Sequence, residues 1–576
     1  MKVLLVDTGT TRREYSEPIG IETLVTYIKN AEVTAMSIEL QGLEKVISNI
    51  KSNNYSVIGI SSKIGSFDVI KNLVNEIMLY SFNTVICLGD IYGTYAYEDV
   101  LKWNPNVICM IGEGEKNLPV LIDIVKKYGK EYRGYLKNIK SIAYYNQGVV
   151  VNEREKELDV KQALFPSRIL LPDILKKSGI AHLEGSRGCA YGNCSFCGIV
   201  QKYGNPRWRP FDEEFIYNEL ITLSNAGVVS PYFTDEDFFG NNVDRVIKIA
   251  QGIMDLKKSN KLNPELNFYF NMRVDSVVGK DSVGYEKARE ILSILKLAGL
   301  REVFIGVESG SSEQISRYKK NNEQFKSIKA IMTLNSLGID VDIGFILFDP
   351  FMTMTDLVNN LNFIYQAGIN TNYSRLAKKL RIEPLTPYAK ERCNSWNISE
   401  SLDMEAVCFP YSFIDNKVER VYKVFSIWEK EDMDIIYNLQ SFCRGEVPSE
   451  EDRNKAKKII SMYRSLDIAM KMALVREAKE EIGIEIDMKD IQFLTLMHVY
   501  TPATCKIYYN AYFAVNTYKN IPIINEREKC GALEWFSIKR LPTNILEDRR
   551  QAIYNILSHD NYGEVGWTRE MEYAII

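Results

Sequence analysis

The sequence predicts an α/β protein built from two parallel-sheet units, a helical spacer and a small α+β module. Three observations carry this reading. Between residue 1 and about 130, short apolar runs alternate with amphipathic helical stretches, the beat produced by strand–helix–strand crossovers. The same beat resumes at 180 and continues to 382, and its helical stretches end in Ala226-Gly227, Ala298-Gly299, Leu337-Gly338 and Ala367-Gly368, matching the glycine favoured just past a helix C-terminus. Beyond about 400 the beat gives way to helical and then mixed patterns. A chain of 576 residues is long enough for about four domains, and 46% apolar with 25% charged residues is the balance of a soluble globular protein.

In residues 1–135 the strand-like runs fall at 3–6, 33–38, 56–60, 84–88 and 107–111, with helical stretches near 20–30, 40–52, 65–80, 95–103 and 115–127. This predicts a doubly wound, Rossmann-like domain. Ligands of such sheets bind at the carboxyl ends of the strands, which selects Thr8, Gly9, Ser61, Ser62, Gly89, Gly93, Gly112 and Glu113. Residues 136–175 read as a connector containing a strand pair at 142–145 and 148–152, with no chemistry assigned. In 176–395, runs at 180–183, 229–234, 266–271, 301–307, 341–347 and 373–382 give six strands of a partial (β/α)6, TIM-like barrel. Functional groups in barrels sit at carboxyl strand ends. Those ends carry Asp235 and Glu236, Arg273, Glu308 and Ser309, and the segment beginning at Gly344. Residues 396–471 read as a helical spacer or lid packed by Trp428, Ile435, Ile436, Leu439, Ile459, Ile460 and Met462, and 472–576 as the α+β module.

Between the first and second barrel strands stand Cys189, Cys194 and Cys197. Thiolates are soft ligands that select iron–sulfur clusters or zinc, and structural zinc closes its tetrahedron with a fourth Cys or His. The nearest such residue is His182. Three thiols with no fourth partner leave one iron of a cluster open; a zinc knuckle or three simply buried thiols are the alternatives. The other seven of the ten cysteines are scattered singly, which excludes a disulfide framework and points to a reducing, cytoplasmic setting. A net charge of −4 announces no nucleic-acid surface. No run of 18 apolar residues occurs, and the opening apolar run is too short for a signal peptide, so no membrane span is expected.

The stretches Ser186 to Cys189 and Asn193 to Cys197 resemble the cluster loop of radical S-adenosylmethionine (SAM) enzymes, with Gly192 as one extra residue that turns the usual C-x3-C-x2-C into C-x4-C-x2-C. A glycine can absorb the insertion because it tolerates unusual backbone angles. The resemblance implies that the three cysteines bind a [4Fe-4S] cluster whose fourth iron is chelated by SAM. It also implies SAM contacts from Phe196, from Asp235 and Glu236 to the amino group, and from Arg273 to the carboxylate by a bidentate bond. Glu308 and Ser309 would contact the ribose, and Gly344 lies in the segment near the adenine.

The amino-terminal domain is similar to a cobalamin-binding domain at Pro18 to Leu24, Gly59 to Ser62, Leu88 to Gly93 and Ile111 to Glu115, which makes the eight crevice residues above its cobalamin contacts. All three histidines lie at or after His182, so this domain supplies no axial imidazole. The combined resemblance implies reductive cleavage of SAM to a 5'-deoxyadenosyl radical and, with cobalamin, methyl transfer to a small molecule or natural-product precursor. A reductase or a flavodoxin- or ferredoxin-type donor would supply the electron. Cobalamin-free rearrangement, cyclisation or oxidation, a diphosphohydrolase, and a noncatalytic cluster protein stand as alternatives.

Toward the carboxyl end, Arg476 to Ile484 resembles the second half of the Nudix box. Glu477, Glu480 and Glu481 fall at i, i+3 and i+4 on one helical face, where like charges repel unless Mg²⁺ offsets them. Segments 495–498, 508–514, 528–536 and 540–542 are similar to the Nudix strands. Met462 and Ile468 stand where the first half of the box has Gly and Glu, which implies a truncated module for binding or assembly rather than a hydrolase.

Overall fold

The computed structural model describes residues 1–9, 15–81, 83–205, 207–369, 378–423, 426, 453, 455–457, 479–480, 483–486, 490–501, 506–525, 533–558 and 562–565. It forms two compact units, one made of Met1–Tyr422 with Met433–Lys458 and the other of Lys423–Asp432 with Ile459–Ile576.

Among the described residues the larger unit contains two large sheets and one short two-stranded one. In the first, β1 (Lys2–Asp7), β2 (Glu32–Ser37), β3 (Val57–Ser62), β4 (Val85–Gly89) and β5 (Ile108–Met110) are parallel in the order β2-β1-β3-β4-β5. Strand side chains alternate between faces. Accordingly Leu4, Val6, Ile58 and Ile60 enter one core, while Val3, Leu5 and Val57 enter the other. The strand order reverses between β1 and β3, the switch point at which doubly wound sheets open a crevice. The hairpin expected within 136–175 is present as β6 (Ile142–Tyr145) and β7 (Val149–Val151). Rather than merely connecting, it extends this sheet antiparallel to β5, with Met110 opposite Ile142.

The second sheet runs β8 (His182–Leu183), β11 (Tyr232–Phe233), β12 (Phe268–Met272), β13 (Leu300–Glu308), β14 (Asp340–Phe348) and β15 (Lys378–Lys379) in sequence order, all parallel. Among the described residues β8 and β15 do not pair, so the barrel is open, as the six-strand expectation requires. The first part of the predicted sixth strand, 373–377, lies outside the described residues. A short antiparallel pair, β9 (Ser186–Arg187) and β10 (Arg209–Pro210), brackets the cysteine loop. Gly227, Gly299, Gly338 and Gly368 all adopt positive φ, so the four stop signals read from the sequence end their helices in the left-handed conformation.

While 416–423 are helical, residues 396–415 differ from the helical expectation. They form turns and isolated bridges, Ile398 with Tyr411 and Asp403 with Cys408, and cross between the two sheets. Ile398 enters the apolar cluster with Tyr318 and Leu380, Val407 enters a core of the first sheet, and both Glu405 carboxylate oxygens accept N–H groups of Phe67 and Asp68. An acidic side chain at a helix start favours this route, because it satisfies amides that have no partner within the helix. The stripe from Trp428 to Met462 lies outside the described residues.

In the smaller unit, β16 (Ile491–Thr501) pairs antiparallel with β17 (Lys506–Val515) and parallel with β18 (Tyr562–Val565), followed by contacts from the helix Glu547–Ser558. Among the described residues of the chain no helix is long and apolar enough to cross a membrane.

The seam between the two sheets is closed by Arg168. Its guanidinium donates to Glu17 Oε2 and to the His182 carbonyl, each at 2.6 Å, and forms a further ion pair with Glu219. All three side chains are buried. Removing one member of a buried ion network leaves uncompensated charge and costs about 3–5 kcal/mol. Arg168→Ala is therefore expected to lower the urea midpoint of the larger unit well beyond what Lys176→Ala at an exposed pair does, and equal midpoints for the two variants would contradict this account.

Candidate active site

The cysteine loop hangs from β8 and is fixed on both sides by its neighbours. Gly185 N–H donates to Asp235 Oδ2 at 2.8 Å, and Ser186 Oγ–H donates to the other oxygen of the same carboxylate. Gly188 N–H reaches Glu236 at 3.1 Å, and Ala190 N–H reaches Asp237 at 3.3 Å. Farther along, Ser195 donates its N–H to the Tyr318 carbonyl and its hydroxyl to the Arg317 carbonyl, while accepting the Tyr388 N–H. Gly192 sits at φ +61°, so the extra residue of the cysteine spacing is taken up in a conformation that glycine adopts without strain.

Burial pushes Cys194 up to about 11 and Cys197 up to about 12, and raises Cys189 as well; Cys189 raises Cys194 further, and Cys194 and Cys189 raise Cys197. Thiols this reluctant to ionise become good ligands once a cation sits among them, because metal binding drives the proton off. Among the described residues no three His, Cys, Asp or Glu side chains converge on a single metal ion. A cubane cluster requires no such convergence, since each cysteine binds a different iron. His182, the nearest candidate for a fourth zinc ligand, is engaged elsewhere: its Nδ1 lies 2.8 Å from the Glu17 carbonyl, and its ring meets Tyr232 edge-on. The donor set thus fits a three-cysteine cluster better than a closed zinc site.

The barrel residues selected from the sequence divide by what their polar atoms already do. Asp235 is fully buried, and burial raises its carboxyl to about 7; both oxygens accept from the loop, which it anchors. Ser309 is likewise buried and bonded to Gln314 and Asn360. Gly344 is a packing position, where a Cβ would stand 2.6 Å from the Phe304 ring. Phe196 packs edge-on against Tyr318 in the apolar cluster beneath the loop.

Glu236 accepts from Lys202 at 2.8 Å and Tyr203 at 2.9 Å as well as from Gly188; burial would raise it, but these partners outweigh that and hold it below the usual carboxylate range. Arg273 stays partly exposed at the end of β12, bonded to Asn241 and 3.5 Å from Asp237. Glu308 has φ +70°, a strained conformation at the end of β13, and pairs with Lys320 at 2.7 Å. Asp237 escaped the sequence reading. Its Oδ2 is 3.9 Å from Cys189 Sγ, and the signal for it was its place as the second aspartate of the run 235–237.

Several crevice residues of the first sheet are similarly engaged. Thr8 bonds Ser61 and Ser66, Ser62 bonds the Gly89 carbonyl, and Glu113 is taken by Arg187 and Arg209. Gly9, Gly93 and Gly112 are close-approach positions, where a Cβ would stand 2.7, 2.3 and 2.5 Å from Glu39, the Leu88 carbonyl and the Lys202 carbonyl respectively. Ser61 and Gly89 remain at the crevice edge, beside the Lys63–Asp90 pair at 2.5 Å. The open space lies one step further along. A cavity of about 210 Å³ is lined by Ile64, Ile91 and Tyr95 from the turn after β3 and the helix after β4, by Cys197, Gly198, Ile199, Lys202, Glu236, Arg381 and Glu383 from the barrel region, and by Val407. Tyr95 O–H donates to the Gly198 carbonyl at 2.9 Å, bringing the first domain against the cysteine loop. The lining is apolar toward the first sheet and charged toward the barrel.

Of the Nudix-type carboxylates, Glu480 is exposed in a short helical piece, whereas Glu477 and Glu481 lie outside the described residues.

Residues 183–364 match the Radical SAM superfamily, and this stretch is a radical SAM domain. Such a domain implies a [4Fe-4S] cluster and SAM. The chain is similar to the 4'-phospho-dehydrooxetanocin synthase of Priestia megaterium, 26% identical over an alignment 497 residues long that covers 75% of this chain and 65% of that protein, so it spans just under two thirds of that relative. It is also similar to an uncharacterized methyltransferase of Pyrococcus horikoshii, 24% identical over 71% of this chain and 83% of that protein. In fold it matches the cobalamin-dependent S-adenosylmethionine radical enzyme OxsB, solved with aqua-cobalamin and S-adenosylmethionine bound, with a TM-score of 0.70 at 23% identity over 83% of this chain and 73% of that one.

Burial lowers His182 to about 4, so its ring is neutral in the folded protein and donates from Nδ1. Because the folded pKa lies below the ordinary 6.5, the unfolded chain takes up the proton first, and stability from this group falls as pH drops from about 6.5 to 4. His182→Gln is expected to flatten that part of the pH–stability curve and leave the iron content of the reconstituted protein unchanged. A loss of iron in this variant would restore His182 as a ligand.

Proposed function

We propose that the chain is a cobalamin-dependent radical SAM enzyme that transfers a methyl group to a carbon of a small molecule or natural-product precursor. One observation carries this reading: Cys197 shares a cavity with Ile64, Ile91 and Tyr95 at the carboxyl edges of both sheets. A cluster on the loop would therefore face the same space as a ligand lying on the amino-terminal domain. When bound, the cluster and SAM supply one-electron cleavage of a sulfonium, and cobalamin supplies a carrier for a one-carbon unit.

The chain's own residues then hold and orient. Cys189, Cys194 and Cys197 would each hold one iron of the cluster. Arg273 would receive the SAM carboxylate, Asp237 its amino group, and Glu308 its ribose, a set supported by their placement at successive strand ends around the loop. The apolar side of the cavity offers Ile64 and Ile91 to a planar ring, while Glu236, Lys202, Arg381 and Glu383 offer hydrogen bonds on the opposite side. Water is kept from the loop by the buried bonds of Ser195 and the Phe196–Tyr318 contact. A reductase or flavodoxin- or ferredoxin-type protein would deliver the electron, and the free thiols suit the cytoplasm. For the smaller unit a binding or assembly role is in keeping with the Nudix-like strands. A second reading, radical chemistry ending in rearrangement or ring closure, is favoured by one fact: the Priestia megaterium relative is named a synthase.

Anaerobic reconstitution with iron, sulfide and hydroxocobalamin, followed by desalting, tests the assignment. The expected result is about four irons and one cobalamin per chain, as one [4Fe-4S] cluster requires. Cys197→Ala is expected to lose iron and SAM cleavage together while keeping its fold. Retained cleavage without iron would overturn the cluster, and four irons with no cobalamin would leave the second reading in place of methyl transfer.

A further inference from the structure

We infer that Arg187 is a positioning residue that locks the cysteine loop to the amino-terminal domain, setting the distance between the radical source and the inter-sheet cavity; this rests on the function proposed above. Arg187 lies two residues before Cys189, on β9. Its guanidinium forms a fork with Glu184, at 3.0 Å from Nε and 2.8 Å from Nη2, which fixes it to its own loop. Its remaining nitrogen, Nη1, reaches across to the first domain, 2.9 Å from Glu113 and 2.7 Å from Glu115.

Those two carboxylates occupy the turn that follows β5, on the same edge of the first sheet as the cavity residues. Arg209, the antiparallel partner of Arg187, closes the ring by binding Glu113 at 2.8 Å and the Leu158 carbonyl at 2.8 Å. Arg187 and Glu115 are both buried. A planar guanidinium holding three carboxylates has no freedom to rotate, whereas a lysine at this position could satisfy only part of the set.

Geometry of this kind matters more to transfer than to cleavage. SAM and the cluster would be held within the barrel, so cleavage needs only the barrel; passing a group to something lying on the other domain needs the two domains in register. A displacement of about 1 Å can cost a factor of about 100 in a positioned reaction. A role confined to general stability would affect both steps alike.

The test compares wild type with Arg187→Met and with Glu115→Gln, which breaks the same lock from the opposite domain. Three quantities are read: iron per chain with the spectrum of the reduced cluster, product formed per 5'-deoxyadenosine or S-adenosylhomocysteine released, and the distance distribution from the reduced cluster to a nitroxide attached through a non-canonical side chain at the exposed position 45. The expected result is unchanged iron and SAM cleavage within about twofold, product per cleavage lower by about 100-fold, and a broadened distance distribution, in both variants. Unbroadened distributions in both would overturn the inference, and this reading requires neither cobalamin nor turnover. If Arg187→Met fails to fold, Glu115→Gln decides alone. A wild type that retains no cobalamin would overturn the proposed function while leaving the distance measurement to judge the lock.

Discussion

Charge buried between two parallel sheets persists only where every charge is matched, and the larger unit is organised around that requirement. Arg168 sits in the seam with Glu17 and Glu219, and Arg187 with Glu113, Glu115 and Glu184. Each guanidinium bridges an element of the first sheet to an element of the barrel. Such networks contribute little net stability compared with apolar packing, but they penalise any other arrangement heavily, because a shifted domain would strand several buried charges at once. The cysteine loop inherits its position from this seam.

Within that frame the loop is built by backbone amides meeting side-chain carboxylates. Asp235, Glu236 and Asp237 follow one another at the end of β11, and all three accept N–H groups from the loop between Gly185 and Ala190. Consecutive residues leaving a strand can serve one loop together because the chain turns there. Ser195 completes the attachment from the far side through Arg317 and Tyr318. The three thiols are therefore preorganised, and the ordering entropy that a flexible cysteine loop would lose on taking up iron has already been lost in folding.

Strand ends were legible because apolar periodicity locates them, and for the same reason the set of residues near the site was legible while their roles were not. Ser62, Glu113, Asp235 and Ser309 are each at a strand end, and in each the side chain is consumed by a partner far along the chain or across a helix. Tyr95, Ile64 and Arg381, which line the cavity, carry no local signal, since nothing in their neighbours distinguishes them from ordinary core or loop residues. The turns of 396–415 were read as part of a helical spacer whose packing stripe began only at Trp428, and long-range packing of Ile398 and Val407 into two different clusters decides their course instead.

By itself the sequence determined the beat of strands and helices, the four glycine stops, and the three cysteines with the glycine that relaxes their spacing. These are local matters: periodicity follows from which residues must be buried, and glycine takes a positive φ without strain whatever surrounds it. The tertiary structure decided which partner each carboxylate takes, that the hairpin at 142–151 joins the first sheet, and that the cavity is lined from both halves of the larger unit at once. Those outcomes depend on partners tens to hundreds of residues apart, and hydrogen bonding and burial at such distances are fixed only when the chain has folded.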